Sequence, residues 1–540
     1  MQQGVRTWIC AALALALAGA PAFADTLAER VDRMERELKE LKAELRRRDA
    51  ADRKREAASA SAKTPPPAAP AVAAAPPPAP AGTEVATAEG TPTRDRALAA
   101  IIDRVRLGGY GSVRFEGSSL ADQPDTFTYR RFVLTADADI APRLRAYMEL
   151  EFERFTHLEL EKTTSTNTDG GITQEQAVEG SNGSEISLEQ AWLQFDLDDM
   201  LKLRAGDVLV PVGRFNINHD DNRWDIPRRS LVDRGIPVLP AKAAWSELGV
   251  GFLGDIPMGE QGILSYQGYV VNGVTLDTEF ETILQSRQGD TTKNEIEAKV
   301  SPTSGTFSQD VKNAKSITGR LAYTPALGQE IGTSGYWGRY TPDFLPDEDL
   351  WSVSADGLTG WGPFELEGEY VYTRFEGIQN VAKGFAQRAI QKESESEAGN
   401  VETEIDFELA GLARAKQGYW LEGRYRFWPA FLSDTFLGRS FSNPQFVAVA
   451  RAEQVWLNGL VEDVVFSGGR LTEFQDQNRY VNRFTVGLAY RPVPLVVFQL
   501  AYEYTMTNHG QSLSDVTNFL VAGPHEDNAS TILVGAAFGF

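Results

Sequence analysis

The sequence is almost without cysteine and is poor in histidine. Its one cysteine, Cys10, lies in an apolar segment at the N-terminus, so disulfides, thiolate metal sites and cysteine nucleophiles are excluded from the rest of the chain. The four histidines, His157, His219, His509 and His525, are far apart, and none has the spacing of a metal-ligand pair. We therefore expect no metal and no other cofactor.

Long apolar runs are also missing, and acidic residues outnumber basic ones. No long apolar run occurs beyond the N-terminus, so we expect no transmembrane helix in the mature chain. Asp and Glu number 75 against 53 Lys and Arg, which argues against nucleic acid as a partner. Aromatic residues make up 10% and glycine contributes 48 residues. This profile is typical of transmembrane β-barrels, in which only every second strand residue must be apolar.

The first hundred residues contain three segments that precede the main domain. Residues 1–24 have the form of a secretion signal, with a basic start, an apolar core and an Ala-Phe-Ala site before Asp25. Residues 25–60 contain a heptad seam, which predicts a coiled-coil stalk, and a single amphipathic helix packed on a domain is the alternative. The seam consists of Leu27, Val31, Met34, Leu38, Leu41 and Leu45. Residues 61–100 are rich in Ala and Pro, which predicts an extended linker.

Residues 101–540 are dominated by a period of two. Leu421 and Tyr425, for example, alternate with Glu422 and Arg424, so we expect the first pair to face lipid and the second pair to face water. Sixteen strands are predicted, near residues 106–118, 126–140, 143–158, 184–197, 200–209, 246–256, 261–273, 315–325, 329–341, 350–360, 363–376, 415–428, 443–457, 480–491, 495–507 and 528–540. Their links alternate between short and long, as periplasmic turns and outer loops do. The predicted fold class is therefore all-β, a sixteen-stranded antiparallel transmembrane β-barrel.

Two strand ends need comment. The alternation of short and long links predicts a tight turn at residues 429–442, but this link is too long for one. The predicted bounds of the neighbouring strands are therefore open to error there. The last strand, residues 528–540, places apolar residues on one face and ends in Phe540. A terminal strand that ends in Phe resembles the insertion signal of bacterial outer-membrane barrels.

The link from Val210 to Trp245 is long, contains four prolines and has no helical or strand period. Such a connection is uncommon unless it is functional. We expect it to fold into the barrel and narrow it, and a surface loop of mixed charge is the alternative. The candidate constriction and anion-binding residues are Arg214, His219, Arg223, Arg228, Arg229, Arg234 and Lys242. If the loop's aspartates, Asp220, Asp221, Asp225 and Asp233, pair with these cations, the channel would be only weakly selective.

Parts of the chain resemble the phosphate-selective porin O and P family of outer-membrane porins. They are Ser187 to Arg223, continued by Ala244 to Asp255, and the earlier stretch Thr128 to Glu153. The resemblance implies a usually trimeric passive channel whose third outer loop, here Val210 to Trp245, folds inward. It does not imply phosphate as the substrate, because this loop's five arginines and one lysine do not align one by one with the family's pore-lining ladder.

The predicted function is a passive diffusion channel in the bacterial outer membrane for small anionic solutes, such as phosphate, an organophosphate or a dicarboxylate. The expected partners are outer-membrane lipid, lipopolysaccharide and further copies of the chain in a homotrimer. The stalk is expected in the periplasm, and contact with peptidoglycan is left open. One alternative is an envelope tether through the stalk, and both functions can hold together. The other is a barrel enzyme, such as a lipase or protease, but no nucleophile motif accompanies the histidines, so we expect no enzyme.

Overall fold

The structure is a computed structural model, and it describes residues 104–540 apart from short gaps. The gaps are residues 121–122, 154–157, 167–171, 181–184, 234–235, 243, 289–290, 306–309, 386, 388–400, 468–469 and 514–525. The predicted signal, stalk and linker lie outside the described residues. Within the described part of the chain, no helix combines the length and apolarity needed to cross a membrane.

Sixteen antiparallel strands form a closed barrel, which confirms the predicted fold class. The barrel strands are β1 (Val105–Ser118), β2 (Thr126–Ala141), β3 (Leu144–Glu153), β6 (Glu185–Asp196), β7 (Lys202–Leu209), β8 (Ser246–Met258), β9 (Gly262–Val271), β12 (Ser316–Ala326), β13 (Gln329–Arg339), β14 (Asp349–Trp361), β15 (Phe364–Phe375), β17 (Ala413–Phe427), β18 (Gln445–Ser467), β19 (Arg470–Val493), β20 (Val496–Thr507) and β21 (Asn528–Gly539). Five further strands lie outside the barrel wall: β4 (Leu158–Thr166), β5 (Ile172–Gly180), β10 (Thr275–Gln288), β11 (Thr291–Thr303) and β16 (Val401–Leu409). Thirteen of the sixteen predicted strands agree with the observed bounds to within two residues.

The alternation of residues places one face of each strand outside and the other inside. In β17, Leu421 and Tyr425 are 48% and 41% exposed on the outer face. Glu422 and Arg424, between them in sequence, are buried inside the barrel. Successive side chains of a strand point to opposite faces, so the two pairs lie on opposite faces of the wall as predicted. Glu422 and Arg424 do not face water, however, because they are buried in ion pairs.

The outer face of the barrel is apolar. Leu107 in β1, Ile331 in β13 and Leu500 in β20 are each more than half exposed, and many other large apolar side chains are exposed on the strands between them. In water such a surface would be unfavourable, whereas a barrel in a bilayer needs an apolar band around its outside. The wall is therefore that of a transmembrane barrel.

The C-terminal strand closes the ring. β21 pairs with β1 in antiparallel register, with Tyr110 opposite Gly539 and Ser118 opposite Thr531. The backbone of Phe540 exchanges two hydrogen bonds with Gly109, at 3.0 and 3.2 Å. Closure leaves the barrel without a free edge, so its backbone donors and acceptors are paired within the wall.

The loops contain more regular structure than the sequence predicts. β4 and β5 form a hairpin, and β10, β11 and β16 form a small sheet in which β11 and β16 are parallel. β18 and β19 also continue as a paired extension up to Ser467 and from Arg470, in a stretch that we predicted as a loop. The predicted third strand runs to residue 158, whereas β3 is described to Glu153, and residues 154–157 lie outside the described part of the chain. The 429–442 link is a connection between strands, with a single helical turn at Ala430–Leu432. The β11–β16 contact joins two separate loops, so no local pattern could reveal it.

Candidate pore constriction

The link Val210 to Trp245 lies inside the barrel and is closed at its neck. The backbone N–H of Val210 donates to the carbonyl of Trp245 at 2.9 Å. The side-chain amide of Asn216 bridges the same two residues, donating to Val210 O and accepting from Trp245 N, each at 2.8 Å. These bonds satisfy backbone groups that are buried away from water, so they hold the loop in a defined fold.

A single helical turn, α1 (Arg214–Ile217), follows the neck. Gly213 precedes it with φ of 80°, and a Cβ at this position would lie 3.1 Å from Oε1 of Glu369. Glycine suits both the backbone angle and the close approach to the wall. The backbone N–H of Phe215 then donates to Glu369 Oε2 at 2.7 Å, which attaches the turn to β15.

An aromatic cluster fixes the loop against the wall. Phe215 and Trp224 stack with ring centroids 4.4 Å apart, and both meet the edge of Trp420 in β17, at 6.0 and 5.4 Å. The guanidinium of Arg451 in β18 lies between 5.1 and 5.6 Å from the centroids of all three rings. Buried aromatic pairs and cation–π contacts of this kind each stabilise the packing by about 0.5–1.5 kcal/mol.

Loop arginines form ion pairs with acids of the barrel wall. Arg214 contacts Glu330 of β13 at 2.6 Å and Glu367 of β15 at 2.5 Å. Arg228 lies between Glu116 of β1 and Glu503 of β20, and its Nε is 3.0 Å from Glu503. The two arginines therefore attach the loop to widely separated parts of the wall.

Wall residues also bind the loop backbone. Arg451 donates to the carbonyl of Arg228 at 3.1 Å, and Arg483 of β19 donates to that of Arg229 at 3.2 Å. Glu453 of β18 accepts from the N–H of Leu231 at 3.0 Å. The arginines and the glutamate of the wall thus form hydrogen bonds with backbone groups of the loop that cannot reach water.

Asp221 is a second attachment point. It accepts a hydrogen bond from Ser112 at 2.6 Å, and it lies 3.5 Å from Arg131 and 3.6 Å from Arg229. Burial alone would raise the pKa of Asp221, but Arg131 and Arg229 hold the pKa of this carboxyl well below its usual range. The residue is therefore a permanent anion that neutralises part of the arginine charge.

His219 is buried and has both ring nitrogens beside acceptors. Its Nδ1 is 2.7 Å from the carbonyl oxygen of Asn216, and its Nε2 is 3.3 Å from Oε2 of Glu189 in β6. Burial lowers the pKa of His219, but the carboxylates of Glu189 and Asp220 outweigh it and raise the pKa to about 9. At neutral pH the ring therefore carries both protons and forms an ion pair with Glu189.

Little space remains between the loop and β1. A cleft of about 10 Å³ lies there, lined among others by Ser112, Arg114 and Arg228. This volume corresponds to roughly one water molecule at most. A solute that crosses the barrel must therefore pass the loop elsewhere.

The predicted constriction residues fall into two groups by exposure. Arg214, His219, Arg228 and Arg229 are buried. Their contact with a permeating solute stays a prediction. Arg223 has a side chain that is 57% exposed, and Lys242 is also exposed. Arg234 lies outside the described residues. The buried cations are compensated by acids because ionised groups removed from water require partners.

Sequence reasoning missed the wall partners of the loop. They include Glu116, Arg131, Glu330, Glu367, Arg451, Glu453, Arg483 and Glu503. Each is a charged residue on the inward face of a strand, and the period of two does mark that face. The signal available was that a charge on this face needs a nearby counter-charge or water.

Comparisons with known proteins give weak likenesses. No protein-family model matches the chain. An uncharacterized protein of Aquifex aeolicus (strain VF5) is 26% identical over 170 residues, which is 32% of this chain and 32% of that protein. The chain thus matches about a third of the length of that relative.

Two solved structures show a weak overall likeness to this chain. An anion-selective porin from Comamonas acidovorans is 10% identical, with a TM-score of 0.42 over 81% of this chain and 99% of that chain. OmpF of Salmonella typhi in complex with daunomycin is 10% identical, with a TM-score of 0.41 over 81% and 97%. At these scores the likeness carries no inference about function.

The architecture of the barrel says more than these comparisons do. A closed barrel of sixteen strands with an apolar outer face and a loop folded inside is a porin-like architecture. Membership of the phosphate-selective group stays a prediction from the sequence.

Proposed function

We propose that this protein is an outer-membrane porin, a passive diffusion channel for small anionic solutes. The observation that carries the proposal is the position of the loop from Val210 to Trp245, which is packed inside a closed barrel with an apolar outside. A loop in this position narrows the lumen and leaves a path for solutes. Passive transport requires only a pore of suitable width and lining charge. Phosphate, an organophosphate and a dicarboxylate remain the candidate solutes.

The exposed cations are the basis for the proposed preference for anions. Arg223 and Lys242 are the exposed members of the candidate set among the residues that the structure describes, and Arg223 has Asp220 at 3.6 Å as its nearby acid. A pair that is open to water at this distance is weak and is screened by salt. Arg214, His219, Arg228 and Arg229 are neutralised in buried pairs, so we expect a modest anion preference rather than a strict filter.

The proposal places the barrel in the outer membrane, in contact with lipid and lipopolysaccharide, with the stalk in the periplasm. It includes a homotrimer, which the heptad seam at residues 25–60 would support. Binding to peptidoglycan through the stalk or linker is a possible addition that does not affect the channel. No enzymatic activity is proposed.

Planar-bilayer recording of the purified mature chain tests the function. Under a tenfold KCl gradient we expect stable conductance steps and a reversal potential on the anion-selective side. Replacing Arg223 and Lys242 with Gln should move the reversal potential toward cation preference. Arg414, an arginine outside the loop with a side chain that is 65% exposed, provides the matched control as Arg414→Gln.

Two results would contradict the proposal in different ways. Absence of conductance from correctly folded protein would refute the channel. A parent channel that prefers cations, or an equal shift in the Arg414→Gln control, would leave the channel intact and refute the role of these two residues.

A further inference from the structure

A cluster of metal-ligating side chains lies where the loop meets β3 and β6. It consists of Glu149 in β3 with His219 and Asp220 in the loop, and one ligand atom from each lies within 4.8 Å of the others. Glu189 in β6 borders the cluster, with Oε2 at 3.3 Å from Nε2 of His219. The residues come from three separate segments, so the spacing of histidines in the sequence could not reveal the cluster.

The histidine ring is oriented for coordination through Nε2. Its Nδ1 faces the carbonyl oxygen of Asn216 at 2.7 Å, and the side chain of Asn216 is itself held by the neck of the loop. An Nδ1–H bond to a backbone carbonyl is the usual way in which a protein fixes the tautomer of a metal-binding histidine. Nε2 is thereby directed toward the carboxylates of Glu189 and Asp220, at 3.3 and 3.8 Å.

The carboxylate of Glu149 is held by neighbours in a similar way. Its Oε2 accepts from the hydroxyl of Tyr147 at 3.1 Å and from the side-chain amide of Gln190 at 2.8 Å. Hydrogen bonds of this kind orient ligating carboxylates in metal sites. Both of these hydrogen bonds are to Oε2, and one carboxylate oxygen of Glu149 lies within 4.8 Å of the ligand atoms of His219 and Asp220.

A buried hydroxyl in the barrel wall provides a further observation. Tyr110 in β1 is 3% exposed, and its hydroxyl has no hydrogen-bond partner among the described residues. The charged groups that act on it are Arg131, Asp220, Asp221 and Glu189, so Asp220 of the cluster is among them. A buried polar group in a native protein almost always has a partner, which can be an ordered water or an ion.

We propose that Glu149, His219 and Asp220 bind a divalent transition metal ion such as Zn²⁺, with Glu189 or a water completing the coordination. Zinc takes nitrogen and oxygen ligands at about 2.0–2.2 Å, so neighbouring ligand atoms in a tetrahedral site are about 3.4 Å apart. The separation of 3.8 Å between Nε2 and Asp220 is close to this value, and the three ligand atoms, which lie within 4.8 Å of one another, would close in on the ion when it binds. The imidazole ligand and the small number of oxygens suit Zn²⁺ better than Ca²⁺, which takes about six to eight oxygens.

Binding would exchange a proton for the metal and attach the loop to the wall. The metal takes the place of the proton on Nε2, which is released to solvent. The side chain of Asp220 is 31% exposed, and this gives the ion a route from water to the otherwise buried His219. The metal would then join the loop to β3 through Glu149. This inference does not depend on the protein being a channel.

Titration of the full mature chain with Co²⁺ tests the site. The protein carries no histidine tag, is held in detergent micelles and is first stripped of metal with a chelator. We expect one Co²⁺ per chain, a visible absorption band from low-symmetry coordination, and displacement of the band by one equivalent of Zn²⁺. Asp220→Asn should weaken binding by at least tenfold, and His219→Gln should weaken it further.

The matched control is His509→Gln. His509 is fully exposed and lies 2.7 Å from Asp527, so it offers a histidine and a carboxylate without a buried site. The proposal predicts unchanged Co²⁺ binding in this variant. Absence of stoichiometric binding by the parent chain would overturn the proposal even if the loop variants fail to fold. Binding that is lost in His509→Gln but kept in Asp220→Asn would overturn it as well.

Discussion

Trp224 is the residue whose removal should loosen the constriction loop most directly. It is 4% exposed, stacks on Phe215 and meets the edge of Trp420. The guanidiniums of Arg451 and Arg424 lie 5.1 and 5.4 Å from its ring. Its Nε1 also donates to the carbonyl of Asn218 at 2.7 Å. Trp224→Ala removes all these contacts and leaves the backbone unchanged.

The size of the effect follows from these contacts. Truncation of a buried Trp to Ala costs about 3–5 kcal/mol. Ion pairs of Arg214, Arg228 and Asp225 with the wall remain in the variant, so the loop stays attached at several points. A local loss of about 3 kcal/mol raises the population of a displaced loop roughly 100-fold relative to the attached state. We therefore expect partial displacement rather than loss of the fold.

Single-channel recording in planar bilayers measures this displacement. Trp224→Ala should show a larger mean conductance and more open-channel noise than the parent. Trp361→Ala is the matched control, because Trp361 is 57% exposed on the barrel and has no contact with the loop among its described interactions. Retention of the folded barrel is checked by its migration on gels with and without heating.

One result would refute the reasoning. If folded Trp224→Ala conducts with the same step size and noise as the parent, the loop does not narrow the path of ions. An equal change in Trp361→Ala would show that the effect comes from loss of a tryptophan in general and not from this cluster.

Three further predictions follow from the buried charges, the outer face and the stalk. Arg228→Gln leaves Glu116 and Glu503 without their shared partner, so it should lower the stability of the barrel by about 3 kcal/mol and shift the reversal potential toward cations. Adding Glu503→Gln should reverse part of both changes. An unchanged reversal potential in Arg228→Gln would contradict the argument. Leu421→Arg places a charge on the outer face at a cost of about 2–4 kcal/mol and should reduce membrane assembly measured by heat-modifiable migration, whereas Arg426→Leu on the inner face should be tolerated. Leu38→Asp with Leu41→Asp should weaken the oligomer on native gels if the heptad seam associates, and an oligomer equally resistant to heat would show that the stalk is not needed.

Much of the barrel could be predicted because its signal is local. β20 was predicted at residues 495–507 and is observed at Val496–Thr507. The orientation of each such strand can be predicted from its own residues, because apolar and polar side chains alternate within a few positions. The hairpin extension of β18 and β19 was missed because its sequence does not alternate: Leu471 and Glu473, two positions apart, fall on the same face of the strand although one is apolar and the other charged.

The candidate site was predicted only in part. The loop and its charged residues could be identified from prolines, length and charge, and the structure places the described part of that loop inside the barrel. The sequence did not indicate that Arg228 would be buried between Glu116 and Glu503. The expectation that it contacts the solute stays a prediction. The same limitation applied to Arg424, which was placed on the inner face but contacts Glu422 and Glu367 in a buried network.

The sequence by itself determined the strands, their two faces and the loop that interrupts them, because a period of two and a lack of period are properties of neighbouring residues. Only the tertiary structure decided which charges are free. Arg228 and Glu116 are 112 positions apart, and closure of the barrel is what brings them into contact. Arg223 stays exposed in the same loop. A charge acts on a solute only when no nearer counter-charge neutralises it, and that distance is set by the fold.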